Sequence, residues 1–185
     1  MERLGKLLGM IVGRDVADEA FEWAAGAMIG HDELNRYSSW AYALSRQNEQ
    51  SLAKWPLGRK FYELREFAYR GLVVIDCKPY RRGQAVAGLI RDIDNFLREA
   101  PASWGLNEAA TTLAMAKGRV TLNKGQPVDV DTLALLGGVK PSHIRNMMVK
   151  RKAKLQRCRT DREKVEAKSA LGWLSRRSCF HPTNY

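Results

Sequence analysis

The sequence predicts a mainly α-helical protein, with a helical amino-terminal domain over residues 1–125 and a smaller carboxyl-terminal domain over residues 126–185 that adds a short β-hairpin. Three observations lead there. Apolar residues recur every three or four positions through most of the chain, the pattern of helices with one buried face. A short pair of turn-bounded runs suited to a hairpin falls between residues 154 and 166. The charge is segregated: residues 1–125 hold 18 basic and 15 acidic side chains, whereas residues 126–185 hold 13 and 5.

The elements follow in order. Leu4, Leu7, Leu8 and Ile11 share a stripe over residues 1–14. Val16, Ala20, Trp23, Ala24, Ala27 and Met28 share another over residues 15–29, where Asp15, Asp18, Glu19 and Glu22 sit toward the amino end favoured by the helix dipole. Gly30 ends that helix and Asp32 caps the next, whose stripe Leu34, Tyr37, Ala41, Leu44, Leu52, Trp55 is stopped by Pro56. From Leu57 the stripe Phe61, Leu64, Ala68, Leu72, Ile75 predicts a further helix. After a turn at Lys78, Pro79 and Tyr80 comes one built on Val86, Leu89, Ile90, Ile93, Phe96 and Leu97 and closed by Pro101. Residues 106–124 carry Leu106, Ala110, Leu113, Lys117 and Val120, with Gly118 weakening the helix and Gly125 ending it.

Composition bounds the function. With 45% apolar and 28% charged residues the 185-residue chain is that of a folded protein, and its net charge of +11 favours an anionic partner, either nucleic acid or an acidic protein surface. No apolar run reaches the roughly 18 residues of a membrane crossing. Arg3 and Lys6 precede a short apolar run, Leu7 to Val12, without a small-residue cleavage site after it. Cys77, Cys158 and Cys179 are odd in number and widely spaced, which suits a reducing cytoplasm better than a disulfide framework.

Chemistry-bearing constellations are few. His143, Cys158, Cys179 and His181 lack the paired spacing that holds zinc, and no nucleophile-elbow turn is present. The run Leu72 to Lys78 could be a nuclease strand, with Asp76 binding a divalent metal, Lys78 near the attacking water and Glu63 or Glu66 as second carboxylate. Against this, the run continues the stripe begun at Leu57, and neighbouring strands are missing. The expectation is no catalytic residue, no metal and no cofactor.

The stretch from Val130 to Met147 fits two short helices joined by a tight turn. Ala134 is small where the helices would cross, Gly138 suits a positive φ, and Leu133, Val139, Ile144 and Met147 would form the small core between them. This stretch resembles the helix-turn-helix of DNA-binding regulators, departing from it at Gly137, where Ala is more usual. From Lys140 to Arg162 nine basic residues face Asp161 alone, within a segment that keeps its own apolar pattern through Leu155, Val165 and Leu171. A hairpin of residues 154–158 with 164–166 and a terminal helix from Ala167 to Arg176, with Ala170, Leu171, Trp173 and Leu174 inward, complete the order. Residues 126–185 thus resemble the winged helix-turn-helix domains of excisionase and MerR-like regulators.

That resemblance implies a helix from Pro141 to Val149 in the major groove, with Pro141 at its first position. Lys140, Ser142, His143, Arg145 and Asn146 would point outward, Arg145 reading guanine and Asn146 adenine, and Lys150, Arg151 and Lys152 would continue the basic face. Arg157, Arg159 and Arg162 of the wing would lie along phosphates or in the minor groove. The expected protein is a sequence-specific, double-stranded-DNA-binding transcription regulator of a bacterium or mobile element. It would act as a cytoplasmic homodimer on a two-fold site, with Trp40, Trp55, Phe61 and Phe67 in its dimer surface or core. A basic factor that binds an acidic protein, or a metal-dependent nuclease centred on Asp76 and Lys78, are the alternatives.

Overall fold

The structure is a computed structural model that describes residue 10 and residues 56–102, 106–149 and 155–183. Apart from Met10, the helices expected over residues 1–55 lie outside the described residues, as do Trp40, Trp55, Lys150, Arg151 and Lys152. The described residues are mainly helical, with α1 (Pro56–Arg65), α2 (Arg82–Glu99), α3 (Asn107–Asn123), α4 (Val130–Gly137), α5 (Pro141–Val149) and α6 (Ala167–Leu174). One antiparallel pair of strands accompanies them, β1 (Val128–Asp129) and β2 (Lys164–Val165), with Val128 opposite Val165 and Asp129 opposite Lys164. No described helix is long and apolar enough to cross a membrane.

The chain forms two compact units, residues 1–62 with 98–101, and residues 63–97 with 102–185. Residues 63–97 and 107–123 therefore pack in the same unit as the basic carboxyl-terminal segment. The second unit is built around α3, which lies against β1, α4, α6 and the π-helical turn Glu66–Arg70 that follows α1. Leu113, Ala116 and Leu122 bury its inner side, and Lys117 holds Asp94 of α2 at 2.7 Å. Gly118 is buried on α3. A Cβ there would collide with Thr132 Cγ2 of α4 and come within 3.2 Å of Leu136 Cδ1. The loss of helix propensity at Gly118 is thus exchanged for a close helix crossing.

The stripe expected to run from Leu57 to Ile75 stops early. Leu64, Phe67 and Ala68 are buried, which assigns Phe67 to the core, but the helix ends at Gly71 and residues 71–78 are neither helix nor strand. The reason is local. The Gly71 N–H bonds to the Phe67 carbonyl at 3.0 Å and the Leu72 N–H to that of Glu66 at 3.3 Å, closing the wide π turn. The next two carbonyls, of Ala68 and Tyr69, accept instead from Arg119 of α3.

Among the described residues Arg119 is the most deeply placed polar side chain, 1% exposed. Its Nε donates to the Ala68 carbonyl at 2.6 Å, Nη2 to that of Tyr69 at 3.1 Å and Nη1 to that of His181 at 2.6 Å. The ring of Phe180 covers it, with its centroid 4.5 Å from Cζ. Burial lowers the guanidinium pKa to about 10, so it stays charged at neutral pH. Replacing Arg119 by Met should leave three carbonyls unpaired and lower stability by about 3 kcal/mol or more. Arg119→Lys should recover only part, because one ammonium cannot span three acceptors. Urea unfolding midpoints of the two variants against the parent would check both.

Candidate functional site

The carboxyl-terminal part of the second unit carries the predicted binding residues on α5 and on the hairpin. β1 leads directly into α4, whose N-cap is Asp129: its Oδ1 accepts the Thr132 N–H at 2.7 Å. The Leu133, Ala134 and Leu136 side chains are buried. α4 ends in a left-handed turn at Gly138, φ 61° and ψ 38°, with the Gly138 N–H on the Leu135 carbonyl at 3.2 Å and the Val139 N–H on that of Ala134 at 3.0 Å. Only a residue without a Cβ adopts that conformation at little cost.

Gly137, where Ala was the usual residue of the resemblance, has a reason of its own. A Cβ at Gly137 would collide with Cη2 of Trp173 on α6. The six-membered ring of the indole fills the space that a methyl group would need. The Gly137 carbonyl, at the open carboxyl end of the helix, accepts from Arg177 Nη2 at 3.0 Å, Arg177 Nε at 3.2 Å and Cys179 Sγ at 3.4 Å. Arg177 also stacks on Trp173, 5.2 Å from the ring centroid.

α5 starts at Pro141 and runs to Val149 as the sequence predicts. Ile144, Met147 and Met148 are buried and α5 packs on α4, whereas Lys140, Ser142, His143, Arg145 and Asn146 are all exposed. One helix therefore separates an apolar inner side from an outer row of hydrogen-bonding side chains. Arg145 is engaged: its Nη2 donates to Asp131 Oδ1 in the first turn of α4 at 3.3 Å.

The strand expected to pair with residues 154–158 pairs instead with β1, and the expected hairpin is reduced to one bridge and its turn. Val165 is bridged by Val128 on one side and by Arg157 on the other, and the pairing is closed by the Cys158 N–H on the Lys164 carbonyl at 2.8 Å and the Glu166 N–H on that of Gln156 at 2.9 Å. Asp161 organises the turn. Its Oδ1 accepts the Glu163 N–H at 3.0 Å and its Oδ2 meets Lys164 Nζ at 3.2 Å, interactions that hold the carboxyl below its usual range. Arg157, Arg159 and Arg162 project from this hairpin and are exposed. Cys158 lies 3.2 Å from the Thr160 hydroxyl, which lowers its thiol pKa.

The stretch considered as a nuclease strand is arranged differently. Asp76 and Lys78 are exposed on the irregular segment after Gly71, and the Glu66 carboxylate is taken by Arg70 Nη1 at 2.9 Å. Among the described residues no three His, Cys, Asp or Glu side chains gather as a metal site would need. The sequence reading had missed Asp131 as the partner of Arg145, the Asp129 cap and the burial of Met148. The cap had a signal, an Asp just before an apolar run; the pair, 14 residues apart, had none.

Compared with known proteins, the chain matches no family model, no curated protein and no solved structure. Replacing Gly137 by Ala should destabilise the protein by about 1–3 kcal/mol by overpacking against Trp173. Combining it with Trp173→Phe should cost less than the sum of the two single changes, which chemical unfolding of the four proteins would measure.

Proposed function

We propose that this protein binds duplex DNA sequence-specifically through a winged helix-turn-helix and regulates transcription. The observation that carries the proposal is the division of α5: Ile144 and Met147 are buried against α4 while Lys140, Ser142, His143, Arg145 and Asn146 form an exposed row on a helix set at a glycine turn. A nine-residue helix of this kind is short enough to lie in a major groove, and its Arg and Asn are the types that grip guanine and adenine by paired hydrogen bonds. The hairpin bearing Arg157, Arg159 and Arg162 supplies a separate group of cations suited to phosphates. The net charge of +11 acts in the same direction. Lys150, Arg151 and Lys152 extend the basic run by sequence. A single helix of this length contacts few base pairs, so a homodimer on a two-fold site is the expected working form.

The test is a fluorescence anisotropy titration against duplex DNA at several salt concentrations. The logarithm of affinity should fall linearly with log salt, with a slope of about −0.9 per phosphate neutralised. Absence of duplex binding below micromolar protein would overturn the proposal and favour an acidic protein partner. Arg145→Ala should lose about 1–3 kcal/mol on a preferred duplex and relax discrimination at one position, whereas Arg159→Ala should weaken preferred and random duplexes alike.

A further inference from the structure

The Asp131–Arg145 pair joins the two helices on either side of the glycine turn, and it is open to solvent, with side chains 71% and 53% exposed. So exposed a pair contributes little to stability. Of the other acidic residues of this segment, Asp129 caps α4 and Asp161 organises the hairpin turn. Asp131 also sits in the first turn of α4, where the dipole tolerates it, but its carboxylate reaches across to α5.

Two consequences follow from the geometry. A guanidinium held through one Nη2–H keeps a pair of parallel N–H groups that can grip O6 and N7 of a guanine, and the long side chain has less rotamer freedom left to lose on binding. The same carboxylate repels a phosphate that would meet Arg145 by charge alone. We propose that Asp131 is a specificity-determining positioning residue: it orients Arg145 toward a guanine and disfavours indiscriminate phosphate contact in its place. This rests on the duplex-DNA reading above.

The experiment uses the full chain, a duplex selected by the parent protein from a randomised pool, and a shuffled duplex of equal length. Asp131→Asn should raise affinity for the shuffled duplex about threefold by removing the repulsive charge, while affinity for the selected duplex stays level or falls. The ratio of the two should drop about threefold or more. Asp131→Glu, which keeps the charge, should restore most of that ratio, and in an Arg145→Ala background Asp131→Asn should shift both duplexes alike and leave their ratio unchanged. If selection returns a preferred duplex but its ratio to the shuffled one is unchanged by Asp131→Asn, the positioning role is wrong and the DNA reading stands. If selection returns no preferred duplex, the DNA reading fails and takes this proposal with it.

Discussion

A charged guanidinium enclosed by protein is costly unless it is hydrogen-bonded, and each of the three nitrogens of Arg119 donates to a main-chain carbonyl from one of two distant stretches. Ala68 and Tyr69 are 51 and 50 residues away along the chain, and His181 is 62 residues away on the other side. The side chain therefore fastens the end of the first helical stretch and the segment after α6 to the middle of α3. The carbonyls it takes are left open where Gly71 ends the helix, so the same interaction satisfies that helix end and holds the fold. With α3 held from both sides, α4 has a fixed surface on which to lie, and α5 is carried by α4.

The second constraint is closeness. α4 meets α3 at Gly118 and α6 at Gly137, and at both points a side-chain atom of the neighbouring helix occupies the space of a missing Cβ. Its last carbonyl accepts from Arg177 and Cys179. The turn at Gly138 thus begins from a helix end that is packed, hydrogen-bonded and sterically confined. The exposed row on α5 inherits its direction from that arrangement.

Much of this carboxyl-terminal geometry was legible in the sequence because it is governed by local rules. Pro141 marks a first helical position, Gly138 a positive φ, and the spacing of Ile144 and Met147 an inner face, and these suffice to bound α5. The expected hairpin is found only in part: Arg157 makes a single bridge to Val165, while the strand Lys164–Val165 pairs with Val128–Asp129, a partner the sequence reading did not name. What was not legible depends on partners far along the chain. Gly118 reads as a defect in a helix until Thr132 is placed against it, and Gly137 reads as a departure until Trp173 is. Gly71, which takes a left-handed φ of 68° at the end of the helix before Leu72, is a local stop signal, whereas Arg119 reads as one more cation in a basic protein and nothing marks it as the partner of that helix end. Among the candidate binding residues, exposure was foreseeable from helical spacing, but the engagement of Arg145 by Asp131 was not.

The crowding around α4 bears on how a genetic screen of this protein would read. Under the proposed function, variants that abolish activity would map both to the outward row of α5 and to Gly118 and Gly137, where a methyl group would collide with Thr132 or Trp173. A map of sensitive positions would then outline a wedge reaching into the interior, larger than any footprint on the surface. Assays of protein abundance would separate the two sets, since only the buried set perturbs folding.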